Sequence, residues 1–462
     1  MATGIDRAVV NRGKRWRTIG TLRADPGSAV LPFGWGPAIV LVLVAFVDRI
    51  EFSLVAAVLP QLQAEWGFGD TVAGSLPSAS AIAAGVLAIP AAYFADRHDR
   101  GRIVTWVVVL WSLATLGSAL APTFLIFYLV RVGLAAAEAV DNPASASLLA
   151  DFYPPATRST AFGWWRTSAY LGGAGIVLGG VLADWLGWRG AFMIMTIPGL
   201  LVAVLVSRLR EPERGFADKL AARADPSVRP CAPSGPLAAQ IRRLLPIRTL
   251  WFTGAALTVM SLSIGGLTFW LPSLLQRRYG LSESAAATAG GGMTLVGIVA
   301  GTCVAAMITR RAVIGTSLAR WRVLLGGSGI LAGSVFMSIA LAMDSTAMFV
   351  VFLTVFAFFS AFALPTLTAC VADVVSARDR GLGFGMLQIA ATVGGAVGPL
   401  LVGVVSEAAA SLTVGMIPLL PLLAVGGVLA LLATGLWNTI RSASWSRQHG
   451  KSNRSMSATM SP

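Results

Sequence analysis

Residues 142–163 read NPASASLLADFYPPATRSTAFG, and 222 positions later residues 364–385 read LPTLTACVADVVSARDRGLGFG. The two stretches share a Pro, an Asp, an Arg and a Gly at equivalent positions: Pro143 and Pro365, Asp151 and Asp373, Arg158 and Arg380, Gly163 and Gly385. The correspondence continues to Gly-Gly-Ala at 172–174 and 394–396. Each copy lies between two long apolar segments. The chain therefore consists of two like-oriented halves that carry the same hinge.

The composition is that of a membrane protein. Of 462 residues, 56% are hydrophobic and 12% are charged, whereas roughly a quarter of the residues in a soluble domain are charged. Twelve apolar stretches approach the roughly 20 residues that a membrane-spanning helix needs. These predicted spans, numbered 1 to 12, are 37–60, 73–95, 103–121, 124–146, 159–183, 190–207, 250–275, 287–309, 322–343, 346–370, 382–406 and 415–437. The sequence thus predicts an all-α membrane protein with 12 transmembrane helices in two six-helix, pseudo-symmetric halves.

The predicted spans divide the chain into five regions. These are an N-terminal tail at 1–36, a first half at 37–207, a connector at 208–249, a second half at 250–437 and a C-terminal tail at 438–462. The connector is rich in Arg, Pro and Ala, and we interpret it as a solvated linker on the inner membrane surface. The C-terminal tail is rich in Ser and Arg, a composition typical of disorder.

Basic residues predict the orientation of the helices. If the N-terminus is cytoplasmic, the inner segments hold 29 of the 35 Lys and Arg residues, and the outer segments hold only Arg189, Arg277 and Arg278. Such asymmetry places both termini in the cytoplasm, with the protein in the cell (inner) membrane. A net charge of +14 also fits a nucleic-acid-binding protein. Here the charge is spread over short loops beside helices, so we expect a lipid bilayer and no nucleic acid as partner.

Spans 1 and 4 carry charges at membrane depth. The six charged residues are Asp48, Arg49 and Glu51 in span 1, and Arg131, Glu138 and Asp141 in span 4. A central charge costs roughly 2.5–3.5 kcal/mol, so each needs a partner or a water-filled cavity. Residues seven apart are almost two helical turns apart, so Arg131 and Glu138 share a face, and Asp141 lies one turn further along it.

Two interpretations of this charged strip are open. In the first, Asp48, Glu51, Glu138 and Asp141 load and release protons in a central cavity, while Arg131 binds an anionic head group or pairs with Glu138 in the empty site. In the second, the charges form a fixed salt bridge between spans 1 and 4. Three charges on each of two helices favour the first, because intramembrane charge is expensive.

The second half has no comparable acid within a span. Span 7 ends in FWLP at 269–272, and span 10 is rich in Phe. We interpret Trp270, Phe358 and Phe362 as an apolar wall of the substrate cavity; the alternative is that these rings pack the core or face lipid. A cavity with one charged and one apolar side suits an amphipathic substrate with a charged head.

Acidic and basic residues also cluster at the inner ends of the spans. The loop between spans 2 and 3 reads ADRHDRGR at 95–102, and each hinge contains an acid with a base seven residues later, Asp151 with Arg158 and Asp373 with Arg380. Such groups can latch the halves together, or can cap helix ends. The candidate gating residues are Asp96, Arg97, Arg100, Asp151, Arg158, Asp373 and Arg380.

Several other classes of function lack their motifs in this sequence. There is no GxxxxGK[ST] phosphate-binding loop, no HExxH and no GxSxG, and both histidines, His98 and His449, lie outside the spans. We therefore expect neither ATP drive nor an enzyme, and no cofactor or metal. The duplicated halves and buried acids favour a proton-coupled secondary transporter that acts by alternating access as a monomer. A transporter-like sensor that binds without translocating is the further alternative.

These motifs resemble the major facilitator superfamily over residues 37–437. ADRHDRGR is similar to its loop 2–3 signature Gly-x-x-x-Asp-Arg-x-x-Arg-x-Arg, with Ala92 at the leading Gly, and GWRGAF at 187–192 is similar to its helix 5–6 corner. Within the superfamily the chain most resembles spinster-like lysolipid and sphingolipid transporters, through Asp48-Arg49, Arg131 with Glu138-Ala139, EPERG at 211–215 and FWLP at 269–272.

The spinster-like resemblance implies a lysolipid substrate, with Asp48, Arg131 and Glu138 in proton coupling and head-group binding. Ala135 and Ala137 depart from the glycines usual before that Glu. Pro143 and Ser53 are more similar to the organic anion–cation symporter group. A symporter of organic anions, or an efflux carrier of drugs or metabolites, is therefore the alternative function.

Overall fold

The computed structural model describes residues 33–95, 98–168, 172–217, 237–312, 318–375 and 379–433. Within these ranges the regular structure is helical. The helices, in chain order, are α1 (Gly36–Trp66), α2 (Asp70–Ala95), α3 (Arg100–Ala119), α4 (Phe124–Phe152), α5 (Pro155–Thr167), α6 (Gly172–Ser207), α7 (Leu237–Leu244), α8 (Arg248–Tyr279), α9 (Glu283–Ala312), α10 (Leu318–Leu341), α11 (Thr346–Ser360), α12 (Ala363–Val374), α13 (Arg380–Ala409), α14 (Leu412–Met416) and α15 (419–433).

The predicted all-α architecture is confirmed, and the described part of every predicted span is helical apart from short turns. Eight segments of the described ranges are long and apolar enough to cross a membrane. One of them is α6, whose 36 residues contain a sharp turn at Gly187 (φ 70°, ψ 166°) and include predicted span 6. A positive φ is a conformation that glycine adopts at little cost. The charged helices α1 and α4 and the Ala- and Ser-rich α2 supply the other spans.

The first hinge is a turn built on two prolines. Helix α4 continues six residues past the predicted end of span 4, with Pro143 inside it, and ends before Pro154-Pro155. Proline lacks the N–H that a continuing helix needs. The Tyr153 hydroxyl donates to the Gly34 carbonyl oxygen at 2.9 Å and accepts from the Ala38 N–H at 3.0 Å. The hinge is thus tied to the start of α1.

The halves pack closely where small residues face each other. An added Cβ on Gly173 of α6 would lie 2.5 Å from the Gly291 carbonyl oxygen of α9, and one on Gly291 would lie 2.4 Å from the Gly173 carbonyl oxygen. On the other side, a Cβ on Gly74 of α2 would lie 2.4 Å from the Pro399 carbonyl oxygen of α13. Backbones meet this closely only where a side chain is missing, so these glycines set the distance between the halves.

The helix bundle has two ends, a distal face and a connector face. The distal face carries the loops at 67–69, 280–282 and 342–345, and the connector face carries the described ends of the connector, 208–217 and 237–247.

Candidate functional site

Arg131 of α4 forms a buried ion pair with Glu51 of α1. Arg131 Nη1 donates to Glu51 Oε1 at 2.9 Å, and the two side chains are 7% and 2% exposed. The Thr115 hydroxyl of α3 donates to the same carboxylate oxygen. The ring of Phe192 lies under the guanidinium, 5.6 Å from Cζ. The pairing of Arg131 with Glu138, predicted from their shared helix face, is therefore wrong for this conformation, because the guanidinium reaches across to α1.

The carboxyl groups of Asp48 and Glu138 form a second, acidic pair. The two side chains interact directly between α1 and α4. Two ionised carboxylates in contact repel each other, so one proton shared between them would stabilise this arrangement. Asp141, one turn beyond Glu138, is nearly buried and accepts from the Ser145 hydroxyl at 2.8 Å. The sequence-predicted acids thus occupy one neighbourhood, in which Glu51 neutralises Arg131 and Asp48 contacts Glu138.

Glu138 and Arg131 line a cavity between the two halves. Its volume is about 130 Å³. Helices α1, α2, α4 and α6 form one side, and α8 and α13 the other; Phe52 and Phe269 are the aromatic rings in its lining, and Thr268 is one of its hydroxyl residues. The Arg49 guanidinium lies 5.1 Å from the Phe52 ring centroid. The cavity is therefore apolar except at the charged side chains of α4 and a few hydroxyls.

A second cavity of about 180 Å³ lies within the second half. It is lined by α8, α9, α11 and α12, chiefly by Met, Leu, Ile and Phe356. Its Thr268 and Thr294 hydroxyls donate to Ile264 and Gly290 of their own helices, so the wall offers little polarity. Thr268 lines both cavities, so the charged cavity and the apolar one lie next to each other.

The aromatic residues chosen from the sequence do not line either cavity. Trp270 is fully buried, and its Nε1 donates to the Pro399 carbonyl oxygen of α13 at 2.9 Å. Phe358 and Phe362 stack edge-on at 5.2 Å. They pack against α9 and α10, where Gly301 and Gly329 leave room for them. Helical rotation places Phe269 and Phe356, rather than these three rings, on the walls of the two cavities.

Two candidate gating residues of the first half, Arg100 and Asp151, form a network with the connector at the connector face. Arg100 Nη1 donates to Asp151 at 2.7 Å and its Nε donates to Glu211 at 2.6 Å. Asp151 also accepts from the Gly215 N–H at 3.0 Å. Arg158 donates to the Ala150 and Tyr153 carbonyl oxygens, at 2.9 and 3.1 Å. The predicted Asp151–Arg158 pair is therefore replaced by a clamp of α3, α4 and the connector, and Arg158 caps α4.

The equivalent residues of the second half are described only in part. Asp373 lies on the last turn of α12 and Arg380 begins α13, but their side chains, like Asp96 and Arg97, lie outside the described residues. Asp379, which precedes α13, accepts from Arg243 of α7 at 2.7 and 2.9 Å. The described ends of the connector therefore dock on both halves, which the interpretation as a solvated linker did not anticipate.

The distal face carries a latch that the sequence analysis missed. Arg277 of α8 donates to both carboxylate oxygens of Asp70 of α2, at 2.7 and 2.8 Å. Gln63 and Ser406 donate to the same carboxylate, at 2.9 and 2.6 Å. Burial raises the pKa of Asp70, but the hydrogen bonds from Arg277, Ser406 and Gln63 outweigh it and hold that pKa below 3.8. The sequence contained one signal for this latch: Arg277 is one of only three basic residues on the predicted outer side.

Relatives with known names share this fold and parts of this sequence. The chain is 25% identical over 243 residues to Protein spinster homolog 3 of Danio rerio, covering 52% of this chain and 47% of that protein. It is 23% identical over 383 residues to the Hexuronate transporter of Bacillus subtilis (strain 168), covering 79% and 85%. The chain thus spans about half the length of the spinster relative that it matches.

Solved structures show the same arrangement. The crystal structure of a bacterial homolog to the human lysosomal transporter Spinster, inward-facing and unoccupied, superposes with a TM-score of 0.75 at 23% identity. The superposition covers 86% of this chain and 96% of that one. This supports the twelve-helix arrangement in two halves. Residues 41–337 match the Major Facilitator Superfamily, and the chain therefore belongs to that superfamily of membrane transporters.

Proposed function

We propose that the protein is a proton-coupled secondary transporter of an amphipathic molecule with a zwitterionic head, such as a lysolipid. The observation that carries this proposal is the contact between the carboxyl groups of Asp48 and Glu138 beside a cavity between the halves. In the proposed cycle this pair shares one proton. When the cavity opens to the other side, water or a substrate ammonium group can replace that proton, which couples proton movement to access.

The charge balance of the site favours a zwitterionic head. The cluster on α1 and α4 contains four carboxyl groups (Asp48, Glu51, Glu138 and Asp141) and two guanidinium groups (Arg49 and Arg131). Glu51 already pairs with Arg131, so a phosphate must share that guanidinium or displace Glu51. The carboxyl pair accepts hydrogen bonds from an ammonium group. A head with both charges satisfies both parts of the cluster.

The apolar part of the substrate enters the cavity of the second half. An apolar cavity of about 150 Å³ that is lined by Leu, Ile and Phe stays dry and binds a molecule of the size of benzene. The cavity of the second half has a similar volume, about 180 Å³. Each buried methylene contributes about 0.8 kcal/mol, or about a fourfold gain in affinity.

A small organic anion is the second candidate. The Hexuronate transporter of Bacillus subtilis covers more of this chain than the spinster relative does. An anion of this kind would use Arg131 and leave the apolar cavity of the second half empty. The two candidates therefore differ in how affinity depends on chain length.

Competition by a lysophosphatidylethanolamine chain-length series in proteoliposomes tests the proposal. Affinity is expected to rise about fourfold per methylene until the cavity is filled. Ile298→Trp fills the cavity and should remove that rise, whereas Val296→Trp, whose site on the same helix is 61% exposed, should leave it intact. If affinity in the parent protein did not change with chain length, and hexuronate competed, the substrate would be the organic anion and not the lipid.

We also propose that the connector face is cytoplasmic. The inner segments of this orientation hold 29 of the 35 basic residues. Among the described residues, the ion pair that joins the two halves lies at the distal face. The described conformation is therefore closed toward the outside.

A further inference from the structure

Helix α1 ends with two glutamines that contact charged residues of the other half. Gln63 accepts from Arg277 at 2.8 Å and belongs to the Asp70 latch. Gln61 donates to the carboxylate of Glu283, the first residue of α9, and to the Ala183 carbonyl oxygen at 3.2 Å. The amide oxygen of Gln61 accepts from the backbone N–H of Trp188 at 2.7 Å. Glu283 is thus held against α1 and α6 at the interface between the halves.

The Glu283 carboxyl group is poorly suited to carry a charge in this position. Its Oε2 accepts from the neutral Gln61 amide, while its Oε1 is buried without a hydrogen-bond partner. A buried, unsatisfied oxygen costs more when the group is ionised. Asp184 of α6 is near enough to act on Glu283 with like charge.

The basic groups of the surrounding helices are engaged elsewhere. Arg189 of α6 pairs with Glu65 of α1 at 2.7 Å, and Arg277 of α8 pairs with Asp70. Arg278 of α8 donates to the Leu341 and Met343 carbonyl oxygens, at 2.8 and 3.0 Å.

Three other acids of this face, one buried and two exposed, accept hydrogen bonds from charged, indole, hydroxyl, amide or backbone donors. Glu65 accepts from Arg189 and from the Trp188 indole N–H, both at 2.7 Å. Asp70 accepts from Arg277, Ser406 and Gln63. Glu407 accepts from the Thr71 backbone N–H at 2.8 Å. Of these four acids, all within the described residues, only Glu283 combines a single, neutral hydrogen-bond donor with a buried carboxylate oxygen that accepts no hydrogen bond.

We propose that Glu283 is a second proton-carrying residue of the transport cycle, protonated while the distal face is closed and ionised when it opens. Opening moves α9 away from α1 and α6, so the carboxyl group leaves Asp184 and reaches water, where it loses its proton to the distal side. Rising pH then favours opening. The inference extends the proposed proton-coupled cycle, but its test involves neither a substrate nor transport.

The test measures opening of the distal face as a function of pH. Spin labels at Leu120→Cys and Met348→Cys, both exposed near that face and on opposite halves, report the distance after the three native cysteines are replaced. Titration from about pH 5 to 9 in nanodiscs uses the Glu138→Gln background, which removes one acid of the central pair. If opening releases one proton, the ratio of open to closed protein increases by at most about tenfold for each unit of rise in pH.

In that background the long-distance fraction should rise with pH, and adding Glu283→Gln, which keeps the acceptor for Gln61, should abolish the rise. Adding Glu65→Gln instead should leave the rise intact, because Glu65 is exposed and paired. A rise that persists in Glu138→Gln/Glu283→Gln, or a flat response in Glu138→Gln alone, would overturn the proposal. Failure of lipid transport in the parent protein would leave this result unaffected.

Discussion

Arg131 and Glu51 join α4 to α1 through a hydrogen bond of 2.9 Å in the buried centre of the first half. This pair separates the charged strip into two functions. Glu51 holds the guanidinium in place, and the carboxyl groups of Asp48 and Glu138 remain free to share a proton. The salt bridge between spans 1 and 4, one of the two interpretations of the sequence, is thus adjacent to the proposed proton-coupling pair and uses a different acid.

Loss of the Glu51 charge should destabilise the protein strongly. Glu51→Gln leaves the buried guanidinium of Arg131 without a counter-ion, and breaking a buried pair in this way costs on the order of 3 kcal/mol. Glu65→Gln breaks the Arg189 pair, whose side chains are 36–39% exposed, and should cost about 0–1 kcal/mol. Thermal unfolding of both variants in one detergent measures the difference. Equal losses would show that the Arg131–Glu51 pair is not a buried structural contact.

Two neighbouring glycines of α9 should respond in opposite directions to substitution by alanine. A Cβ at Gly291 would lie 2.4 Å from the Gly173 carbonyl oxygen, whereas one at Gly292 meets nothing within 4 Å. Gly291→Ala should cost about 1–3 kcal/mol through overpacking. Gly292→Ala should be neutral or stabilise by up to about 1 kcal/mol through helix propensity. Thermal unfolding distinguishes them, and similar values would contradict the close approach of α6 and α9.

The distal latch should weaken only in acid. Because the pKa of Asp70 is held below 3.8, the ionised form stabilises closure above that value, and the contribution disappears as pH falls through the lowered pKa. Closure due to this pair should therefore be constant from about pH 5 to 8. Asp70→Asn should increase the long-distance fraction between labels at Leu120→Cys and Met348→Cys throughout the range from about pH 5 to 8, in which Asp70 of the parent is ionised. An Asp70→Asn distance distribution equal to that of the parent would remove Asp70 from the gate.

The orientation predicts which cysteine is accessible from which side. Cys231 belongs to the connector, while Cys303 is exposed on α9 and Cys370 is buried in α12. In a Cys303→Ala/Cys370→Ala variant, an impermeant thiol reagent should label Cys231 only after the membrane is opened. The same variant with Cys231→Ala is the control for non-specific labelling. Labelling of Cys231 in intact cells would reverse the proposed orientation.

The sequence predicted the elements that depend on local pattern. Apolar length located the spans, and the repeat of Asp151 and Asp373 with their neighbours identified the two halves. The intramembrane charges on α1 and α4 also pointed to one neighbourhood, because such charges are costly unless they meet. These signals act over a few helical turns, within the range that a helix periodicity can report.

The contacts that depend on the rotation and tilt of packed helices were not predictable in this way. Arg131 and Glu138 share a face of α4, yet the guanidinium contacts Glu51 because α1 packs beside it. Trp270 and Phe269 are adjacent, and only their positions on α8 decide which one lines the cavity. Gln61 and Gln63 carry no charge, so nothing marked them as the residues that contact Glu283 and Arg277.

In the proposed cycle, Glu138 couples protons to transport. The parent protein and Glu138→Gln are each reconstituted in proteoliposomes, with radiolabelled lysophosphatidylethanolamine as the probe. Two activities are measured for each protein: counterflow, and accumulation driven by a pH gradient. We expect Glu138→Gln to retain counterflow, since the side chain keeps its shape, and to lose accumulation driven by the gradient. Gradient-driven accumulation in Glu138→Gln equal to that of the parent would show that Glu138 does not couple protons to transport.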